Sequence, residues 1–346
     1  MPSLELAKCY QCYYALWIEP TADGKASVST CYKNSFRRQN KLIVDRGLKD
    51  VWNSRQFQFQ RRLAAKGDWG FCRGASCLKR WAIAAMDADP AVKHAAAAGK
   101  TRLDSFAKAL IVAPSYACNY ECYFCFTAAD RRRGAANRLS DSLMEELKHE
   151  VIPLVDEVVV TGGEPFFTRE GLELIDWVLS RFPEKKLLVM TNGALLREFG
   201  LERIVRHKIG LRISIYGMDG ESSREMTGRD RFDATWRNIH ELLSAGHEDM
   251  KFTYLVSSKS ISGLRQFCEF IARTVGHGGI VQNSVFEGPA LWDEMRRVER
   301  EYAHLSGRLI FDYRDETSPR RFLRTLYDPW HSLRYALFDA TQPGTR

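Results

Sequence analysis

Ala109-Leu-Ile-Val-Ala113-Pro-Ser-Tyr-Ala-Cys118-Asn-Tyr-Glu-Cys122-Tyr-Phe-Cys125 is the stretch on which the reading of the fold turns. Its first five residues are a short apolar run closed by Pro114, which is the length and composition of a buried strand. A loop with three cysteines in eight residues follows directly. Working outward, the strand signal recurs at 157–161, 187–191, 211–216, 251–256 and 280–286. Amphipathic stretches lie between. Leu143, Leu147 and Val151 repeat at four-residue spacing behind the candidate N-cap Ser140, and Leu172, Ile175, Trp177 and Leu179 recur after Thr168. Trp236, Ile239, Leu242 and Leu243 follow Asp233, and Leu264, Phe267, Phe270 and Ile271 make a further face. Six strand signals, most of them followed by a helix, predict an α/β fold with a parallel sheet or partial barrel. Active groups in such folds gather at the carboxyl ends of the strands.

The chain has 346 residues, 45% hydrophobic and 27% charged, the composition of an ordinary globular protein. Disorder, collagen-like repeats and a minimal disulfide scaffold are excluded. The net charge of +8 permits anionic partners and names none. No stretch has the apolar length of a signal peptide core or a membrane span, so a cytoplasmic protein with no membrane partner is expected. The nine cysteines are more informative. An odd number, with several at two- to four-residue separations, fits reduced thiolates that hold metal better than a disulfide framework.

Three thiolates on one short loop can turn inward around a single cluster. A four-iron cluster ordinarily takes four cysteines, and no fourth lies near Cys118, Cys122 and Cys125. One iron is then left open for a small-molecule ligand, by the logic that separates catalytic from closed structural metal sites. A structural zinc site with a distant fourth ligand is the alternative. The spacing Cys-x3-Cys-x2-Cys, with the aromatic Phe124 before the last cysteine, resembles the signature of the radical S-adenosylmethionine (radical SAM) superfamily. That resemblance implies a partial (β/α)6 barrel and a 4Fe–4S cluster whose open iron chelates the amino and carboxylate groups of SAM. It also implies an electron donor such as a flavodoxin or ferredoxin. The electron cleaves the sulfonium, and the 5′-deoxyadenosyl radical abstracts hydrogen while the protein supplies positioning.

Further segments resemble the same family. Thr161-Gly162-Gly163-Glu164-Pro165, at the end of the second strand signal, looks like its Gly-Gly-Glu-Pro motif, which binds the methionine amino group. Glycines let backbone approach a ligand closely, and a carboxylate or carbonyl accepts from an ammonium. Without the cysteines the same residues read as a turn. Thr191-Asn192-Gly193 and Ser214 lie at strand ends where relatives contact the ribose and carboxylate of SAM. Arg229, in Thr227-Gly228-Arg229, falls where relatives place a carboxylate-binding arginine. Val256 can pack on adenine or in the core. These matches span residues 108 to 286.

The first quarter of the chain holds Cys9, Cys12, Cys31, Cys72 and Cys77. Ala22-Asp23-Gly24 is a hairpin turn signal, and a helix carrying Arg62 follows Gly47-Leu-Lys-Asp-Val-Trp-Asn-Ser54. A hairpin with cysteines at both ends and a helix returning two more can bring four thiolates together. A zinc-ribbon-like site uses similar spacing. The order resembles the SPASM and Twitch modules that hold auxiliary iron–sulfur clusters in radical SAM enzymes, although those usually follow the catalytic domain. On that resemblance Cys31, Cys72 and Cys77, with either Cys9 or Cys12, hold an auxiliary cluster. Cys268, on an amphipathic helix, reads as a buried inert thiol.

The expected organisation is an amino-terminal cysteine-rich α+β module at 1–82, a linker and helix at 83–106, a radical SAM core at 107–289 and a helical extension at 290–346. The extension concentrates Arg296, Arg297, Arg300, Arg320, Arg321 and Arg324. These form a solvated helix face or a cap that meets carboxylate or phosphate. The resemblance implies oxidation, cross-linking or epimerisation of a peptide. Met226-Thr-Gly228 and Phe232-Asp233 resemble the corresponding segment of peptide maturases. Action on a small natural product such as an aminosugar is the alternative. A zinc-stabilised nucleic-acid-binding protein is a reading of another class, for which the basic stretches at 37–41 and 131–133 would supply phosphate contacts.

Overall fold

The computed structural model describes residues 11–31, 41–66, 89–125, 127, 137–274, 276–283 and 289–312. Cys9, Cys72 and Cys77, the stretch at 131–133 and Arg320, Arg321 and Arg324 lie outside them. So does the stretch at 37–41 apart from Lys41. The chain divides into two compact units, Met1–Ile111 with Leu139–Asp156 and Glu316–Arg346, and Val112–Arg138 with Glu157–Asp315.

In the first unit β1 (Ala15–Pro20) and β2 (Ala26–Ser29) form the expected hairpin across Ala22-Asp23-Gly24, with Trp17 opposite Ser29. Gly24 takes φ +77°, the left-handed conformation its turn position asks for. The sequence reading omitted β3 (Lys41–Val44), which pairs antiparallel with β2. The helix α1 (Arg55–Ala65) starts at Ser54, whose hydroxyl accepts from Phe57 N. Arg61 on α1 is fully buried. It donates to the carbonyls of Cys12, Trp52 and Thr101 and to Asn53 Oδ1, and stacks over the Trp52 ring. This one side chain holds the short helix at Cys12, the Trp52 turn and the 101 loop together. The unit also contains α2 (Pro90–Ala97), capped by Asp89, and α3 (Asp141–Glu146), capped by Ser140. Its last strand, β4 (Ala109–Val112), lies next to β1.

The second unit is built on a parallel sheet. Its strands are β5 (Glu157–Val160), β6 (Lys186–Thr191), β7 (Gly210–Ile215), β8 (Met250–Val256), β9 (Gly278–Asn283) and β10 (Leu309–Asp312). They lie side by side in chain order, all parallel. Among the described residues β5 and β10 do not pair, so the sheet stays open as a partial barrel. The expected α/β class with a parallel sheet is therefore observed, and β10 adds a strand beyond the six expected. The intervening helices are α4 (Arg169–Arg181), α5 (Leu201–Arg206), α6 (Gly220–Thr227), α7 (Phe232–Ser244) and α8 (Leu264–Arg273), followed by α9 (Pro289–Glu301). Thr168 caps α4, as its position suggested. Asp233 does not cap α7: the helix begins one residue earlier, and Asp233 sits in its first turn, where an acid favours the helix dipole.

The core lies between the sheet and these helices. Phe252 and Tyr254 meet Phe270 and Phe267 of α8 at ring separations of 5.0 and 4.9 Å. Cys268 is fully buried on α8, and burial pushes its thiol up to about 12, as an inert thiol requires. On α9, Trp292, Met295 and Val298 are buried, whereas Arg296 and Arg297 pair with Asp293 and Glu294 of the same helix.

Candidate active site

Two loops of the second unit are joined through their backbones. One leads from β4 to the cysteines, and the other is Gly162-Gly163-Glu164-Pro165 after β5. Gly163 N donates to Ser115 O at 3.0 Å and Glu164 N to Ala117 O at 2.9 Å. The two glycines permit this approach. A Cβ on Gly162 would stand 2.3 Å from Ser115 O, and one on Gly163 would stand 2.0 Å from Ala117 O. Gly162 also has φ +126°, which L-residues avoid.

Glu164 is wholly buried and turns inward. Its carboxylate accepts from Thr191 Oγ1 at 2.8 Å, Asn192 N at 2.7 Å and Phe166 N at 3.2 Å. Burial outweighs these donors and raises its pKa to about 7. Glu164 thus ties its own loop to the end of β6. Asn192 extends the tie to the cysteine loop, donating through Nδ2 to Asn119 Oδ1 at 2.7 Å.

The cysteine loop folds over an apolar patch. Cys122 is buried with Tyr120 and Ala194, and Cys118, Phe124, Cys125 and Tyr216 pack on them. Tyr120 meets Tyr216 edge-on at 6.1 Å, and Phe124 lies 5.6 Å from Tyr216. Tyr120 N points at Cys118 Sγ at 3.4 Å, and Thr127 Oγ1 lies 3.1 Å from Cys125 Sγ. Beside Cys118, Asn119 Nδ2 is buried with no partner, an N–H aimed where an acceptor is missing. Among the described residues no three His, Cys, Asp or Glu side chains converge on one point as ligands of a single ion. A four-iron cluster takes one thiolate per iron, so its cysteines stand apart on one loop. Three thiols on one apolar loop and an orphaned donor therefore fit such a cluster.

A cleft beside this patch is lined by Tyr120, Asn192, Ser214, Tyr216, Thr235 and Trp236 among others. The structure thus brings together Cys118, Cys122, Phe124, Cys125, Gly162 to Pro165, Thr191, Asn192 and Ser214. Two further candidate residues lie apart from these. Arg229 forms an ion pair with Glu121 on the outer side of the cysteine loop, where Glu121 N also donates to Thr227 O at 2.8 Å. Val256 is fully buried on the face of β8 that carries Phe252 and Tyr254, so it packs in the core. Sequence reasoning missed Asn119, Tyr120, Tyr216 and Thr235. Asn119, adjacent to a candidate ligand, could have been singled out; Thr235 had no local signal. Of the amino-terminal cysteines, Cys12 is buried next to Arg61, and Cys31 follows β2, at the same end of the hairpin.

The probable GTP 3′,8-cyclase of Sulfurisphaera tokodaii is 28% identical over 181 residues, 48% of this chain and 52% of that protein. The mycofactocin maturase MftC of Mycolicibacterium smegmatis is 23% identical over 203 residues, 57% of this chain and 50% of that one. The chain spans about half the length of these relatives. SuiB of Streptococcus suis bound to S-adenosylmethionine aligns over 87% of this chain and 70% of its own, at a TM-score of 0.48 and 14% identity. Residues 112–271 match the radical SAM superfamily, and the chain therefore carries a radical SAM domain that contains the cysteine loop and the ends of β4 to β8.

Proposed function

We propose that this chain holds a 4Fe–4S cluster through Cys118, Cys122 and Cys125, binds SAM beside it, and abstracts hydrogen from an unactivated C–H bond of a peptide. The observation that carries the reading is the backbone pairing of the Gly162–Gly163 loop with residues 115–117, which sets a SAM-binding motif against the cysteine loop. The bound cluster supplies the electron that cleaves SAM reductively. The chain's own residues hold and shield that chemistry. Backbone groups of Gly162 and Gly163 meet the methionine amino group, while Asn192 and Ser214 meet the ribose and carboxylate. Glu164 keeps the loop in register by accepting from Thr191 and Asn192. Tyr120, Phe124 and Tyr216 exclude water from the cysteines, which protects a reactive radical from quenching.

The peptide reading is supported by likeness to the maturase MftC and by the resemblance of Met226-Thr-Gly228 and Phe232-Asp233 to peptide maturases. The outcome is oxidation, cross-linking or epimerisation, with electrons from a flavodoxin- or ferredoxin-type donor. An auxiliary iron–sulfur cluster on the amino-terminal cysteines accepts an electron or anchors the substrate. Likeness to probable GTP 3′,8-cyclases supports a second reading, a small-molecule substrate.

The test is anaerobic reconstitution with iron and sulfide, then SAM, dithionite and a precursor peptide encoded near the gene. A brown protein that releases 5′-deoxyadenosine on peptide addition is expected, and replacement of Cys118, Cys122 and Cys125 by Ala abolishes release. A colourless protein carrying only zinc overturns the enzyme. Release driven only by a nucleotide or carbohydrate overturns the peptide.

A further inference from the structure

Asn119 stands between Cys118 and Cys122, and the bonds around it fix which way its amide faces. Ala194 N donates to Asn192 Oδ1 at 3.0 Å. A backbone N–H can only donate, so the other end of the Asn192 amide, Nδ2, is the end that faces Asn119. Nδ2 needs an acceptor, and it meets Asn119 Oδ1 at 2.7 Å. The remaining end of the Asn119 amide is therefore its donor, Nδ2, which has no part in the bond to Asn192. Asn192 is itself held firmly, since it is buried and its backbone N–H donates to Glu164 at 2.7 Å.

Asn119 Nδ2 is shut off from solvent and meets no acceptor among the described residues. A buried amide N–H left unmade costs free energy, and native folds rarely carry one without a use. The amide lies against the first of the three thiols. Asn119 Oδ1 is 3.8 Å from Cys118 Sγ, and Tyr120 N points at the same sulfur at 3.4 Å. Tyr120, Cys122 and Ala194 are buried here, with Phe124 and Tyr216 packed on them, so the surroundings are apolar. In such surroundings an N–H that faces negative charge counts for more than it does in water.

We propose that Asn119 Nδ2 donates to a sulfur of the 4Fe–4S cluster held by Cys118, Cys122 and Cys125, and that this donor raises the cluster's reduction potential. The proposal rests on the radical SAM reading above and adds a residue, not itself a ligand, that sets how readily the electron is accepted. Hydrogen bonds to the sulfurs are among the levers that set such potentials. The sign follows from charge. Reduction adds one negative charge, so an N–H facing sulfur stabilises the reduced form more than the oxidised form. Asn192 is the positioning residue, because its amide dictates the orientation of Asn119. Its backbone N–H is also bound by Glu164, so the Gly162–Pro165 loop and the Asn119 donor share one support.

The experiment uses the full chain, reconstituted and reduced anaerobically, with its asparagine side-chain amides labelled with nitrogen-15. Pulsed EPR of the reduced cluster is expected to show a coupling to labelled nitrogen that Asn119→Ala removes. Redox titration is expected to give Asn119→Ala a lower midpoint, with about tenfold less reduced relative to oxidised cluster at a fixed poise, about 59 mV for one electron. Should Asn119→Ala lose its iron, Asn119→Asp takes its place. It keeps an acceptor for Asn192 Nδ2 and lacks the donor, so loss of the coupling and a lower midpoint are expected there too. Addition of SAM identifies the signal, because a cluster with an open iron responds to it. A SAM-responsive signal without nitrogen coupling in the parent, or a midpoint unchanged in Asn119→Ala, overturns this proposal alone. Absence of any SAM-responsive cluster signal in the parent overturns the radical SAM reading and this proposal with it.

Discussion

At Gly163 a single methyl group decides whether the site can form. The nearest backbone oxygen is 2.0 Å from where a Cβ would sit, and backbone cannot swing aside as a side-chain end can. Gly163→Ala is expected to part the two loops and lower 5′-deoxyadenosine formation about 100-fold, an estimate for a misplacement of about 1 Å; chromatographic assay of the product checks it. Glu164 makes a second, electrostatic prediction. Its folded pKa, about 7, lies above the ordinary 4.5, so between these values the folded chain keeps a proton that the unfolded chain releases. Stability therefore falls as pH rises through that window, by about 3 kcal/mol in total. Glu164→Gln removes the titration, so the variant gains on the parent between pH 5 and 8 in paired melting curves; a constant difference would refute this account. The motif named Glu164 in the sequence, but the direction of its carboxylate depends on Thr191 and Asn192, 27 and 28 residues away, which no local pattern specifies.

Elements were legible where a cap and an apolar period coincide. Ser140 and Thr168 each precede a helix and each accepts from its third residue. β3 and β10 are four residues long, as β4 and β5 are, but no Pro or Gly closes either run within two residues as Pro114 and Gly162 do, so each escaped. Arg61 shows the opposite failure. A basic residue on an amphipathic helix reads as solvated surface, yet here it is fully buried because four acceptors from three separate segments surround it. Arg61→Leu leaves those acceptors buried and unsatisfied, which costs about 3 kcal/mol or more. The expected result is faster amide exchange across 48–65 than in the parent. Protection equal to the parent's would mean that apolar packing alone holds α1.

For the whole chain the decisive quantity is how many clusters it carries. The three cysteines proposed for the catalytic cluster all lie in one loop, so spacing alone proposes the set. The amino-terminal five are spread over about 70 residues, and spacing alone leaves their partners open. Within the first unit β1 and β2 place Cys12 and Cys31 at one end of a hairpin, and Arg61 fixes the Cys12 turn. That arrangement puts Cys12 forward as a partner of Cys31 in the proposed auxiliary cluster, because a ligand held by its own backbone needs less ordering when a cluster binds. On the proposed assignment, replacement of Cys118, Cys122 and Cys125 by Ala removes about four irons per chain and leaves the iron of the proposed auxiliary cluster in place. In that background Cys12→Ala is expected to strip the remaining iron, whereas Cys9→Ala retains it. Iron and sulfide analysis reads both. Retention in Cys12→Ala with loss in Cys9→Ala reverses the assignment, and loss of all iron in the first triple variant removes the auxiliary cluster altogether.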